Sequence, residues 1–138
     1  LAALVDTGPL VAVFARRDRS AARYRAVLER ANEEAWLLAT TWPCVVEASH
    51  ILDAPERYTM LRWIASGAVQ VYGFEVEQLD EMVDLMERHT ERPGTEMDLA
   101  DASLVRLATE TGVTTIMTLD VRDFSRYRLP DGRAFEII

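Results

Sequence analysis

The sequence predicts an α/β domain built on a mostly parallel sheet. Short apolar runs alternate with amphipathic helical stretches along the whole chain, the pattern of βα units joined by right-handed crossovers. Two of the apolar runs, AALVD (2–6) and TTIMTLD (114–120), end in an aspartate. In parallel sheets ligands gather at the carboxyl ends of strands, near a switch in strand order. At 138 residues the chain has room for one core, so a single domain spanning 1–138 is expected.

The elements follow in order. AALVD reads as a buried strand, and Pro9 suits the first turn of the helix after it. From Ser20 the apolar positions Tyr24, Val27, Leu28 and Ala31 recur at helical spacing, until Asn32-Glu33-Glu34 ends the pattern. WLLATT (36–41) is the second strand, and Pro43 opens a helix through PCVVEASHILDA. Pro55 separates that helix from ERYTMLRWIASG, an amphipathic helix closed by Gly67. AVQVYGF (68–74) alternates as a strand does. Residues 75–91 read as an acidic helix whose Val76, Leu79, Met82, Val83 and Met86 form one apolar stripe. A Pro93-Gly94 break leads into a helix from Asp98 to Thr111 that Gly112 stops. TTIMTLD is the fourth strand, a turn carries Asp120 and Asp123, and AFEII (134–138) is the fifth. Trp36, Trp42, Trp63 and the methionines are expected in the core.

Composition narrows the function classes. A hydrophobic content of 49% argues for a packed domain, and no apolar stretch approaches the roughly 20 residues of a membrane span. The first apolar run is broken by Asp6, so it reads as a strand and not as a secretory leader. One cysteine, Cys44, allows no internal disulfide and fits a reducing cytoplasm. The net charge of −8 argues against a general nucleic-acid coat. That charge is uneven. Ten acidic residues fall between Glu75 and Asp101, while Arg16, Arg17, Arg19, Arg23 and Arg25 crowd a stretch opposed only by Asp18. All 15 basic residues are arginine, the better bidentate ligand for phosphate.

The carboxylates have structural readings of their own. Asp6 before Thr7 could be an Asx-turn or the N-cap of the next helix, and it could equally meet a hard cation, which takes oxygen ligands. Glu47 lies among Val45, Val46, Ala48, Ile51 and Leu52, and helical spacing groups it with Cys44 and His50 on a polar face. Paired cysteines and zinc-type histidine spacings are absent, which argues against zinc. Asp98 and Asp101 are three apart and share the N-terminal end of their helix; Asp98 suits an N-cap. Asp101 is harder to explain as a cap, because Ala102, Leu104, Val105 and Leu107 are already packing. Asp120 and Asp123 could each be turn formers.

Four segments together, LVDTGPLVAVF, VVEASHIL, DLADASLVRLA and TLDVRDFSRYR, resemble the PIN-domain family and, within it, the VapC-like toxin ribonucleases of type II toxin–antitoxin systems. The resemblance covers essentially the whole chain. It implies a three-layer α/β/α sandwich on a mostly parallel sheet of about five strands. It also implies a metal-dependent endoribonuclease that cleaves RNA phosphodiester bonds by metal-activated water, leaving 5′-phosphate and 3′-hydroxyl ends. On the family's pattern Asp6, Glu47 and Asp101 match the three central acids. Asp120 is favoured as the fourth, with Asp123 as the alternative. These acids would hold Mg²⁺ or Mn²⁺, Asp6 and Asp101 directly and Glu47 and Asp120 through water or as water-orienting groups. Asp98 would be a supporting or capping residue, and the Thr7 and Thr118 hydroxyls would orient water. Arg16, Arg17 and Arg122, with Arg126 and Arg128, are candidates for RNA phosphates. Such proteins usually form homodimers held inactive by a VapB-like antitoxin, for which the helices at 20–34 and 56–66 are candidate surfaces.

Rival readings are a phosphatase of the haloacid-dehalogenase pattern, a receiver domain and a PIN-like module that binds RNA or protein without cutting. The first wants a second Asp where Gly8 stands, and the second wants a late Lys in a chain that has none. All four acids are present, which favours an enzyme over the third.

Overall fold

A computed structural model describes every residue except Arg17, Arg92 and Pro93. The strands are β1 (Ala2–Val5), β2 (Leu37–Thr41), β3 (Gln70–Tyr72), β4 (Thr115–Met117) and β5 (Glu136–Ile137). Between them lie helices α1 (Thr7–Phe14), α2 (Ala21–Glu33), α3 (Trp42–Ile51), α4 (Ala54–Ala65), α5 (Leu79–His89), α6 (Leu99–Thr111) and α7 (Val121–Arg126). The strands form one sheet in the order β3-β2-β1-β4-β5, and every neighbouring pair is parallel. The chain builds outward from β1 through β2 to β3, then crosses back to add β4 and β5 on the other side. Strand order therefore reverses between β1 and β4, where a ligand crevice is expected.

Side-chain alternation along β1 divides the core in two. Leu4 packs with Leu104, Val105, Ile116 and Phe124 beneath α5, α6 and α7. Ala3 and Val5 pack with Leu10, Tyr24, Met60 and Met117 beneath α1, α2 and α4. The result is three layers, and each fully buried Leu or Met contributes about 1.5–3 kcal/mol of transfer free energy. Among the described residues no helix is long and apolar enough to cross a membrane.

Helix starts are local and polar. Asp6, Asp98 and Asp120 each stand at an N-cap and accept a backbone N–H from the first turn of α1, α6 and α7 respectively. Gly112 ends α6 in the left-handed region, at φ 76°.

Several expectations need correction. The segment after β4 is the helix α7, not a bare turn. The strands expected at 68–74, 114–120 and 134–138 shrink to two or three residues each. The 75–91 helix begins as a 3₁₀ turn, Val76–Gln78. Its apolar stripe is also displaced: Met82 and Leu85 are buried, while Val76, Leu79 and Val83 face solvent. Trp42 is 53% exposed, and Trp36 and Trp63 are only partly buried against the α1–α4 side of the core. Pro93 of the expected Pro93-Gly94 break lies outside the described residues.

Candidate metal centre

β1 and β4 end side by side, with Val5 opposite Met117. The residues that follow them continue the contact: the Asp6 N–H donates to the Met117 carbonyl at 3.0 Å. Both Asp6 carboxylate oxygens are held. Oδ1 accepts the Thr7 N–H at 2.7 Å, and Oδ2 accepts the Thr118 hydroxyl at 2.7 Å. Thr118 is fixed in turn, because its carbonyl accepts the buried Tyr24 hydroxyl at 3.0 Å and its Oγ1 accepts the Asp120 N–H at 3.0 Å. Thr118 thus bridges two of the predicted acids. Thr7 reaches a third, donating its hydroxyl to Glu47 Oε2 at 3.4 Å. Both threonine hydroxyls therefore donate to carboxylates of the predicted set.

All six acids singled out from sequence, Asp6, Glu47, Asp98, Asp101, Asp120 and Asp123, line one open cleft of about 340 Å³. Asp18 and Glu96 also line it; sequence reading missed both as site residues. No basic side chain is among the described lining residues. The tightest group is Asp101, Asp120 and Asp123, each of which offers an oxygen within 4.8 Å of the others. Asp123 is engaged elsewhere as well, since its Oδ1 accepts the Arg126 Nε–H at 3.1 Å. Asp101 Oδ2 accepts the Tyr127 hydroxyl at 2.6 Å, a partner that sequence reading did not foresee.

Burial and crowding push Asp6, Glu47, Asp101 and Asp120 toward their protonated forms. Burial raises Asp6 to about 6, opposed by the Thr118 and Thr7 hydrogen bonds and reinforced by the charges of Asp98 and Glu47. Asp101 is raised to about 8, first by burial and then by Asp98, Asp6 and Asp120, with Tyr127 opposing. Glu47 moves up through burial and Asp98, and Asp120 moves up through burial and its neighbour Asp123. A cleft of carboxylates that repel one another, with no protein cation among its described lining residues, has the electrostatics of a cation site.

The donor set fits a hard divalent ion: the cleft offers carboxylate and hydroxyl oxygens and no sulfur or imidazole. Cys44 is buried and its thiol is pushed up to about 12, first by burial and then by the Asp6 charge, so it is neither ligand nor nucleophile at neutral pH. His50 faces solvent on α3 and does not line the cleft.

The arginines divide. Arg16 is exposed and sits 4.0 Å from Glu56, and Arg122 is exposed in the first turn of α7. Arg17 lies outside the described residues. Arg126 is not a free phosphate ligand, because Asp123 and the carbonyls of His89 and Thr95 occupy its guanidinium. Arg128 turns back onto the carbonyls of Ser125 and Tyr127.

Comparison with known proteins decides the family. The PIN-domain profile matches residues 3–129. This chain belongs to the PIN-domain family. Among curated PIN relatives, Ribonuclease VapC26 of Mycobacterium tuberculosis is 26% identical over 139 residues, 98% of each chain. The fold matches that of M. tuberculosis VapC20, a sarcin–ricin-loop cleaving toxin, at TM-score 0.72 and 16% identity over 86% of this chain and 90% of that one. It also matches Rickettsia felis VapBC2 bound to a promoter DNA fragment, at TM-score 0.68 and 15% identity over 100% and 99% of the two chains. Neisseria gonorrhoeae FitAcB matches at TM-score 0.55 and 18% identity over 97% and 96%. The five-stranded parallel sheet between helical layers is the PIN-like architecture expected from the sequence.

Proposed function

We infer that this PIN-domain chain is a divalent-metal-dependent endoribonuclease, the toxin of a VapBC-type pair. One observation carries the reading: Asp6, Glu47, Asp101 and Asp120 line a single cleft at the carboxyl ends of β1 and β4, each raised toward its protonated form. A cation beside such a group favours its ionised form. The 26% identity to Ribonuclease VapC26 across the full length supports the ribonuclease assignment.

Asp6 and Asp101 are the direct ligands of Mg²⁺ or Mn²⁺ in this reading, with Glu47 and Asp120 holding the ion or its water shell. Asp120 takes the fourth place over Asp123, whose Oδ1 already serves Arg126. When bound, the ion supplies Lewis acidity, making water a better nucleophile at neutral pH and taking up charge on the scissile phosphate. The chain's own residues set the geometry. Thr118 and the Thr7 N–H prevent Asp6 from rotating, and the α6 N-terminus fixes Asp101 through the Asp98 cap. Arg16 and Arg122 are assigned to RNA phosphates; Arg17, the third candidate, lies outside the described residues.

The structural neighbours include a VapBC pair bound to promoter DNA, which supports a VapB-like antitoxin as partner, in the cytoplasm. A homodimer is supported by the exposed Trp42, Val46 and Leu99, which line one apolar groove beside Glu47.

The test is cleavage of a mixed structured RNA with Mn²⁺, Mg²⁺ or EDTA, comparing wild type with Asp101→Asn purified identically. Metal-dependent cuts with 5′-phosphate ends, made only by wild type, are expected. Cuts that persist in EDTA, or that the variant makes equally well, would refute the reading.

A further inference from the structure

We propose that Tyr127 is a positioning residue of the metal centre, fixing the orientation in which the Asp101 carboxylate would meet the ion. The inference rests on the metal-centre reading above and adds a residue that the acidic pattern does not include. The Tyr127 hydroxyl donates to Asp101 Oδ2 at 2.6 Å, at the short end of the O–H···O range. That bond fixes the plane of the Asp101 carboxylate, whose oxygens keep further lone pairs for the cleft.

The tyrosine is rigid enough to do this. It is fully buried, and its ring meets Phe124 edge-on with centroids 5.0 Å apart and His89 at 5.3 Å. The Arg126 guanidinium lies over the same ring, 4.9 Å from its centroid, and is itself clamped by Asp123 and the carbonyls of His89 and Thr95. His89 closes the frame: its Nε2 accepts the Arg128 N–H at 3.2 Å while Nδ1 meets the Leu85 carbonyl at 2.9 Å. The frame ties α5, α7 and the chain after α7 into one block. It meets Asp101 through the tyrosine hydroxyl. Hydrogen bonds of this kind fix a ligand's orientation and basicity, and their loss typically weakens metal binding by 10–100-fold.

The test is Tyr127→Phe, which keeps the ring and its packing and deletes only the hydroxyl. Mn²⁺ binding is measured by titration calorimetry on the wild type and the variant without RNA. A second readout is the rise in melting temperature that Mn²⁺ confers, which tracks affinity by mass action. The expected result is a Mn²⁺ dissociation constant raised about tenfold or more, with a proportionately smaller thermal shift. Cleavage should recover toward the wild-type rate as Mn²⁺ is raised. An unchanged dissociation constant in a folded variant would overturn the proposal and leave the metal centre standing. A wild-type chain that binds no Mn²⁺ would overturn the metal centre and this inference together.

Discussion

Replacing Asp6 by asparagine is expected to abolish cleavage and yet stabilise the metal-free protein, most strongly at high pH. Asp6 is raised from 3.8 to about 6, a preference for the protonated form of about 3 kcal/mol. The folded carboxyl keeps its proton to higher pH than the unfolded one. Between about pH 4 and 6 the folded state therefore binds more protons, and stability falls as pH rises. The same sign holds for Asp101, raised to about 8, so the wild-type chain in EDTA should lose stability steadily from pH 4 to 8. Asp6→Asn removes the buried charge. It keeps an acceptor for the Thr7 N–H, and it offers an amide donor to the Thr118 hydroxyl in place of a carboxylate acceptor. Because neutral hydrogen bonds are weaker than charge-assisted ones, the net gain at pH 8 should be about 2 kcal/mol, or roughly 8 °C for a chain of this size. Thermal melts in EDTA at pH 4, 6 and 8 read it directly. The gain should vanish at pH 4 and reverse under saturating Mn²⁺. A wild-type melting temperature that climbs from pH 4 to 8 in EDTA, or a variant no more stable at pH 8, would refute the electrostatic argument.

Other outcomes follow from the same contacts. Thr118→Val deletes the donor to Asp6 and the acceptor for the Asp120 N–H, and should cost about 1.5–3 kcal/mol by urea denaturation at pH 8 in EDTA. Asp98→Asn keeps the α6 cap, since asparagine caps as well as aspartate; stability should change by less than about 0.5 kcal/mol, and cleavage should fall far less than in Asp101→Asn. Asp120→Asn should reduce cleavage much more than Asp123→Asn, for which a loss of about tenfold or less is expected because Asp123 is shared with Arg126. Equal losses would return the fourth position to both residues.

Most of the site was legible because its acids interrupt patterns that otherwise require apolar residues. Asp6 stops a buried strand, Glu47 sits in an apolar helix, and Asp101 falls one residue before the packed Ala102. What sequence missed lies where pattern carries no information. α7 has six residues, too few for a helical period to show. Asp18 and Glu96 sit in connecting segments, and only the three-dimensional return of those segments brings them to the cleft. Tyr127 stands between two arginines in SRYRL, outside the acidic pattern. The available signal was the apolar spacing of Phe124, Tyr127 and Leu129, all of which are buried. The displaced stripe on α5 has a similar cause: Val76 and Leu79 belong to the 3₁₀ turn and its junction, where the helical period does not yet hold.

The most direct test of the account is an anomalous-scattering experiment on crystals of the chain soaked in Mn²⁺. The account predicts an anomalous peak in the cleft, within carboxylate coordination distance of Asp6 and Asp101 and absent from Asp101→Asn crystals. A cleft with no peak at saturating Mn²⁺ would contradict the account.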